Sequence, residues 1–593
     1  MYKNKIVKLI IGIVILLSQQ VYSQDSTETI MFRAMKDELD RSMKKLICND
    51  CQAPFYIAYS IEDVKTIFTT ASLGSLSNAS ERHYRSWSNR VLVGDYQLND
   101  ENFTDATRAK APRDGDLELP LDNDYFGIRR ALWMMTNNTY KSAAENYKNK
   151  IASLKDKNLS QKDLQIPDFC KVPVITMSIP DKHYSWNKEY LQKLVKDVST
   201  VFKDYPDVFY SEVAAFQIHA NIYFYSSENC QIQTPIDLVY IMASALSQAT
   251  DGDNVSAQVR YSAVNQDDLP KIENMQDDAR ALAQSLIERG KASILDENYS
   301  GPVLFLGQAV AEAFSQGFFT GTDNLIAYRE PLYNSSQMSM FYGQNINSVE
   351  AKLDKPVIAK NITVKDLSRL KTYHGVNLVG SYDVDGEGVV PPDTLTLIEN
   401  GVLKSLYNGR TPTRNIKESN GHNRYSITKY GSITHDLGPG VIFITATDGK
   451  TIDKLKEQLI KTAKENDLDY AIMIKPIKQG NFYMPLNIYK VSVADGKETL
   501  LRDASMKSLN IASLKKIIGV SSGSLLYNTF MNESSENEEG GSMIDNQEAI
   551  PNGPPVSYIV PDGILIKEVD FDHRTKPLSS DRPVVKSPLL NLK

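Results

Sequence analysis

The stretch GPVLFLGQAVAEAFSQG, residues 301–317, joins an apolar, strand-like run to a helix-like run that carries polar side chains. Within it, Gln308 and Glu312 stand four residues apart, so on a regular helix they share one face. A strand that feeds a polar-faced helix is a common way to build a site. It is equally a common way to build a plain core, and the small residues of this run fit close packing. The residues alone leave both interpretations open.

A second candidate group lies between predicted strands and consists of Arg410, Arg414, His422 and Arg424. Clustered Arg and His side chains could bind the carboxylate of a peptide. The same residues could also form a solvated basic loop. They are the candidates for substrate binding, and charge alone does not separate the two interpretations.

Other motifs carry less chemistry. The acidic run DVDGEG, residues 383–388, suggests a calcium loop, but an EF-hand needs flanking helices and the flanks here are strand-like. His219 lies in a predicted strand without a visible partner, which is more typical of a core or surface histidine than of a metal ligand. The chain has no P-loop, HExxH or dinucleotide fingerprint.

The elements that must position these groups follow from periodicity. Apolar spacing predicts helices at residues 32–46, 191–202, 238–248, 275–289 and 450–466, and another after residue 125. Alternating β-branched and aromatic residues predict strands at 55–60, 64–73, 84–98, 208–226, 440–447, 468–477 and 485–493. The sequence ENG, residues 399–401, predicts a hairpin turn. The first half is therefore expected to be mixed α/β and the second half β-rich.

Length and composition set limits on the class of protein. A chain of 593 residues is too long for one ordinary domain. Its net charge of −7 gives no support to nucleic-acid binding. Residues 532–553 are acidic and poor in apolar side chains, so we expect a mobile loop there.

The first 23 residues have the features of a secretory signal. Lys3, Lys5 and Lys8 precede a short apolar core, and small or tolerated residues lead up to cleavage near Ser23. The apolar run is shorter than the roughly 20 residues that span a bilayer. We therefore expect a periplasmic or secreted protein without a stable membrane anchor.

The four cysteines are Cys48, Cys51, Cys170 and Cys230. An even number in an oxidising compartment favours disulfides, with a local Cys48–Cys51 bridge preferred over free or cross-paired thiols and over a redox centre. A second pair, Cys170 with Cys230, is possible, and the sequence does not decide the pairing.

Several segments together resemble the TldD/PmbA family, the metallopeptidases called modulators of DNA gyrase. They are GPVLFLGQAVAEAF in the centre, AMKDELDRSM, PFYIAYSIED, ASLGSL and RVLVGDYQLND near the N-terminus, and the acidic DxEG turn followed by the ENG hairpin. The resemblance implies an α+β fold. Residues 24–290 would form an N-terminal α/β domain with a curved sheet and long helices, and residues 291–593 a β-rich C-terminal domain. The family also has a stretch similar to residues 419–424 near its cleft.

The resemblance also implies a zinc site, which this chain does not keep. The family's central helix usually carries HExxxH, where two His bind zinc and the Glu is the base. Here those positions read Gly307, Gln308 and Glu312, of which glycine has no ligand atom and glutamine is a poor base. The family's third ligand is a C-terminal cysteine, and no cysteine follows Cys230. We therefore expect no metal cofactor and no confident catalytic residue.

Three functions are compatible with this pattern. The family pairs a zinc-bearing subunit with a homologue that lacks the motif, and together they enclose a chamber where unfolded peptide is cut. This chain resembles the zinc-free kind, with a zinc-bearing homologue or a second copy as its partner and extended peptide as its ligand. The alternatives are an active peptidase, whose rearranged metal site would use Gln308, Glu312 or His422, and a stand-alone peptide-binding envelope protein.

Overall fold

The computed structural model describes residues 27–47, 51–104, 119–159, 164–182, 184–319, 321, 323–333, 349–502, 504–531 and 549–573. The predicted signal segment, Cys48 and residues 532–548 of the predicted acidic loop lie outside these ranges. At the end of that predicted loop, Ala549 is described and is buried. None of the helices in the described ranges has the length and apolar content needed to cross a bilayer.

The described α-helices are amphipathic or buried. They are α1 Thr27–Lys45, α2 Tyr125–Asp156, α3 Lys188–Thr200, α4 Ile272–Lys291, α5 Gln308–Phe319, α6 Ile452–Glu465 and α7 Ile511–Leu514. Side chains cap several of them: Asp124, Asn187, Thr451 and Asn510 each accept a backbone N–H of the first turn. Short 3₁₀ turns follow at Val201–Asp204, Gln266–Asp268 and Glu350–Lys352.

The strands of the first half are long, and those of the second half are short. The first half has β1 Pro54–Ser72, β2 Ser75–Val93, β3 Phe103–Thr104, β4 Thr176–Ser178, β5 Val208–Ser226, β6 Gln231–Gln248 and β7 Asn254–Ala263. The second half has β8 Tyr299–Leu306, β9 Leu332–Tyr333, β10 Ile362–Asp366, β11 Thr372–Tyr373, β12 Val376–Asn377, β13 Leu395–Glu399, β14 Val402–Leu403, β15 Asn423–Ile427, β16 Ile433–Leu437, β17 Val441–Ala446, β18 Tyr470–Pro476, β19 Leu486–Ser492, β20 Glu498–Leu501, β21 Ser505–Met506, β22 Ile517–Val520, β23 Ser524–Phe530, β24 Pro555–Pro561 and β25 Gly563–Asp572.

The first half is organised by one curved sheet in the order β2-β1-β5-β6-β4, with β7 also on β6. Strands β1 and β2 form a hairpin that turns at Leu73 and Gly74, both with positive φ. The sequence predicted breaks in this region, but the strands run through Asp63 because its carboxylate is paired with Arg85 from the neighbouring strand.

One predicted helix is wrong. Residues 238–248 are the second part of strand β6 and pair with β5 on one side and β7 on the other. This segment is buried on both faces, so its apolar residues run almost without interruption. Such a run does not distinguish a buried strand from a buried helix.

The two faces of this sheet have different partners. On one face, Val213, Ala215 and Ile241 lie against α3 and α4, while Tyr223 and Tyr225 lie against α1 and α2. On the other face, residues such as Phe216, Ile218 and Tyr240 meet the second half of the chain through Tyr425, Ile427 and Phe530. Both faces are therefore covered.

The second half contains two larger sheets with helix α5 between them. One has the order β14-β13-β10-β17-β24-β23, and the other has β20-β19-β18-β8-β25-β21 with β22 also on β25. The closing strands β24 and β25 do not pair with each other, because the chain passes from one sheet to the other between Pro561 and Gly563. Ala309, Val310, Ala313, Phe314 and Phe318 of α5 lie in the core that joins both sheets.

The α+β class, with a mixed first half and a β-rich second half, is thus confirmed. The cysteines differ in their bonding: Cys51 is disulfide-bonded to a partner outside the described residues, whereas Cys170 and Cys230 are buried free thiols. The possible Cys170–Cys230 bridge is therefore not formed.

Helix α5 should behave as a core element. Phe314 is fully buried and stacks on Phe318, with ring centroids 5.6 Å apart. We expect Phe314→Ala to lower the free energy of unfolding by about 3–5 kcal/mol through lost burial and a cavity. The control is Phe126→Ala, since Phe126 is 77% exposed and should change stability by less than about 0.5 kcal/mol. Thermal and denaturant unfolding of the two variants measure this, and equal effects would contradict the central packing of α5.

Candidate functional site

The turn before helix α5 requires glycine. Gly307 links β8 to α5 with φ +59°, in the left-handed region that side chains rarely adopt. A Cβ atom added there would lie 2.6 Å from Oε1 of Gln479. Glycine itself offers no ligand atom, and a histidine at this position would be strained.

Gln308 and Glu312 do share one helix face, and they are bonded to each other. The Gln308 Nε2 donates to Glu312 Oε1 at 2.6 Å and to the carbonyl of Met484 at 3.1 Å. The backbone N–H of Met484 donates to Gln308 Oε1 at 2.6 Å. The amide of Gln308, which is only 2% exposed, thus uses both of its ends to hold the backbone of Met484 against α5.

Glu312 is a carboxylate without a metal site around it. Burial raises its pKa to about 7, although the Gln308 amide and the charge of Arg260 act in the opposite direction. A bound divalent cation would need further ligands, and among the described residues no group of three His, Cys, Asp or Glu donors includes Glu312. The residues at 307–312 therefore do not fit the zinc ion that the family resemblance implies.

A cavity of about 520 Å³ lies where the two halves of the chain meet. Its walls include Asn89 and Arg90 from β2, Glu387 from the DVDGEG turn, and Arg410, Asn423 and His435 from the second half. Most of its charged groups are paired with protein. Arg90 binds Glu387 and also Glu101, the latter at 2.6 and 2.8 Å.

The DVDGEG turn shapes one wall of the cavity through Asp385. Its carboxylate accepts the backbone N–H groups of Glu387, Val389 and Asn423 at 2.8–3.1 Å. Burial, with the nearby charge of Glu387, raises the pKa of Asp385 to about 8. This carboxylate therefore acts as a cap for its own turn, which places Glu387 in the cavity wall.

Arg410 lies in the cavity wall, but its guanidinium is 1% exposed and already bonded. It donates to both carboxylate oxygens of Glu228 at 2.8 Å and to the carbonyl of Cys170 at 2.8 and 3.1 Å. Its backbone N–H donates to Glu387 at 2.7 Å. The side chain thus supports the wall, and its five N–H donors are largely used within the chain.

Three buried atoms of residues that line the cavity have no hydrogen-bond partner among the described residues: Nδ2 of Asn89, Nε of Arg329 and Nε2 of His435. Burial lowers the pKa of His435 to about 4, so the imidazole is neutral at neutral pH. The ring lies against Gly386, where a Cβ would be 2.1 Å from Nδ1. These atoms have almost no accessible surface, and the Asn89 amide is turned toward α2, where Thr139 donates to its Oδ1 at 3.0 Å. They are therefore buried in the wall and are not presented to the cavity, and the described lining residues do not include an activated nucleophile.

The remaining predicted binding residues lie elsewhere. His422 is buried beside Asp366 and Ser368, with Nε2 at 3.7 Å from Asp366 Oδ2 and 3.4 Å from Ser368 Oγ. This Ser-His-Asp group has no access to substrate, since all three are about 1% exposed or less, and Ser368 donates to Asp366 at 2.6 Å. Arg424 is buried over the ring of Tyr382 at 4.1 Å, and its guanidinium donates to the carbonyls of Pro439 and Pro555. Arg414 is exposed.

One polar cluster of the structure was not predicted from the sequence. His219, for which no partner was visible, lies 2.7 Å from Asp237 and 3.5 Å from Asp181. Asp237 directly faces His219 on the neighbouring strand. The wrong helix at 238–248 hid this pair, since a correct β5–β6 hairpin would have placed the two residues opposite each other.

Comparison with known proteins agrees with the architecture. Residues 302–482 match the PmbA/TldA metallopeptidase C-terminal domain. The chain carries a TldD/PmbA-family domain. The resemblance seen in the sequence motifs is thereby confirmed, and α5, the DVDGEG turn and the cavity wall around Arg410 all lie within the matched segment. No curated protein matches the sequence.

Solved structures show the same fold over nearly the whole chain. A protein described as a modulator of a DNA gyrase from Thermotoga maritima has a TM-score of 0.54 and 14% identity, covering 91% of this chain and 100% of its own. TldE from Thermococcus kodakarensis has a TM-score of 0.52 and 14% identity, with 91% and 100% coverage. A modulator of DNA gyrase from Bacteroides thetaiotaomicron has 0.52 and 12%, with 92% and 99% coverage.

The raised pKa of Glu312 in this TldD/PmbA-type domain gives a testable pH dependence. Between the ordinary glutamate pKa of about 4.3 and the folded value of about 7, the folded state binds more protons than the unfolded state, so stability falls as pH rises. Glu312→Gln removes this loss. We expect the variant to match the parent near pH 4.5 and to exceed it at pH 8 by on the order of 1–3 kcal/mol.

Thermal unfolding of both proteins across this pH range measures the effect, with Glu145→Gln on the exposed face of α2 as the control. Equal pH profiles for parent and Glu312→Gln would mean that a cation holds the carboxylate ionised, which would contradict the arrangement described above.

Proposed function

We propose that this protein is a secreted, zinc-free subunit of the TldD/PmbA type that completes a peptide-degrading chamber with a zinc-bearing homologue. One observation carries the proposal: the helix positions that would bind and activate zinc are Gly307, an amide closed onto the backbone of Met484, and one lone carboxylate. Such a helix retains its packing role without the means to activate water.

The proposed ligand is an extended peptide bound by strand addition. Strand β2 has β1 as its only strand neighbour in the described sheet, and residues 75–83 are mostly exposed. An edge of this kind presents backbone N–H and C=O groups that a peptide can pair with. The other end of the same strand contributes Asn89 and Arg90 to the cavity wall, so a peptide that follows β2 is directed toward the cavity.

The subunit role predicts a specific pattern of activity. The isolated protein should not cleave an unfolded polypeptide such as reduced casein, either with added zinc or with chelator, because the zinc-activating groups are missing. Co-expression with a secreted homologue that carries an intact HExxxH motif should yield a stable complex that cleaves the same substrate. The homologue expressed alone is the matched control.

Two outcomes would contradict the proposal and indicate a different function. Chelator-sensitive cleavage by the isolated chain would indicate an active peptidase with a rearranged metal site. Peptide binding without any complex with the homologue would indicate a stand-alone peptide-binding protein of the envelope.

Strand addition can be located by hydrogen exchange. Adding a short unstructured peptide should slow amide exchange in residues 75–83, because the outer N–H groups of β2 gain acceptors. Strand β7, at the opposite edge of the sheet, should exchange unchanged and serves as the internal control. Protection confined to β7, or to neither edge, would contradict β2 as the docking strand.

A further inference from the structure

The helix-covered face of the first-half sheet carries a polar band between its two apolar clusters. Along β5, Val213 and Ala215 belong to the cluster with α3 and α4, and Tyr223 and Tyr225 belong to the cluster with α1 and α2. His219 and Asn221 fall between them on the same face, since alternate residues of a strand point the same way. Neither apolar cluster includes a residue of this band.

Three potential ligands converge in this band from three separate segments. Asp181 follows β4, His219 is in β5 and Asp237 is in β6, and one donor atom from each lies within 4.8 Å of the others. His219 Nδ1 lies 2.7 Å from Asp237, and Nε2 lies 3.5 Å from Asp181. The three side chains are between 11% and 20% exposed, so the cluster is sheltered but open to a small ion.

We propose that Asp181, His219 and Asp237 bind one divalent transition-metal ion of the zinc or manganese class. One imidazole nitrogen with two carboxylate oxygens suits these borderline ions, whereas calcium and magnesium prefer oxygen alone. This site goes beyond the proposed function. It lies on the helix-covered face, and none of its three residues lines the cavity.

The imidazole has polar contacts besides the two carboxylates. The amide nitrogen of Asn221 lies 3.3 Å from His219 Nε2, and Gln233 donates to Asn221 Oδ1 at 3.3 Å, so an ion bound at Nε2 would replace the contact with Asn221. Lys65 lies opposite His219 on β1 and is the cation that opposes proton binding there.

A bound ion would link the segment between β4 and α3, which contains Asp181, to the sheet. After β4 the chain passes through Asp181 before it reaches α3. Two hydrogen bonds hold this segment on the sheet: the backbone N–H of Ile179 donates to the carbonyl of Gln233, and the Gln217 amide donates to the carbonyl of Ser185. A metal bridge from Asp181 to His219 and Asp237 adds a link between this segment and two strands. We therefore assign the site a structural role.

A histidine ligand must be deprotonated, so a proton competes with the ion for His219, and metal affinity should fall as the imidazole becomes protonated.

A neighbouring pair provides the matched control. His83 Nε2 lies 2.6 Å from Asp63, on the same face of the same sheet. There Arg85 already binds the other carboxylate oxygen of Asp63 at 2.8 and 2.9 Å, so a guanidinium fills the place of a cation. His83→Gln should therefore leave metal binding unchanged.

The test is calorimetric titration of the chelator-treated full chain with ZnCl2 and with MnCl2. We expect one ion per chain, and a loss of affinity of at least about tenfold in each of Asp181→Asn, His219→Gln and Asp237→Asn. His83→Gln and Glu312→Gln should bind as the parent does. X-ray absorption of the zinc-loaded parent should show nitrogen and oxygen ligands with one imidazole and no sulfur, a measurement that does not depend on how well a variant folds.

Several results would overturn the site. They are the absence of stoichiometric binding, binding that survives all three substitutions, or a sulfur ligand. Binding lost only in Glu312→Gln would place the metal beside α5 and would contradict both this site and the proposed function. Binding lost in the three variants, together with peptidase activity of the isolated chain, would contradict the proposed function alone.

Discussion

Two arginines tie the halves of the chain together, and they do so in opposite directions. Arg90 of the first half reaches Glu387 in the second, and Arg410 of the second half reaches Glu228 in the first. Removing one partner of a buried pair leaves a charge without compensation, which typically costs about 3–5 kcal/mol. Because each half supplies one arginine and one carboxylate to these two contacts, the docking geometry of the halves is specified by polar groups as well as by the apolar contact around Phe216 and Tyr425.

The cavity is a consequence of this docking. Glu387 accepts both Arg90 and the backbone N–H of Arg410, and Asp385 holds the turn that presents it. Because these charges are neutralised inside the protein, the wall presents little free charge to a ligand. The site is thereby better suited to an uncharged group than to a charged one.

Much of the fold could be predicted because its signals are local. Helix α6 has a one-sided apolar pattern with Thr451 as its cap, and the ENG hairpin follows from its turn residues alone. The failures have a common physical cause. The segment 238–248 is covered on both faces, so it lacks the alternation that marks a half-exposed strand, and β1 continues through Asp63 because a partner from another strand compensates its charge. Both outcomes depend on tertiary neighbours.

The candidate site also depends on contacts between residues that are far apart in the sequence. The four-residue spacing of Gln308 and Glu312 predicted a shared face correctly, but the group that closes it, the backbone of Met484, is 176 residues away. Arg410 and Glu228 are 182 residues apart. A basic cluster in a sequence shows that negative charge is needed nearby, without showing whether a ligand or the chain supplies it. For Arg410 the chain supplies it, so evidence for a ligand must come from polar atoms that the fold leaves unsatisfied. By that criterion Arg410 and Arg424, which the sequence made conspicuous, act as structural residues, because both are bonded within the chain.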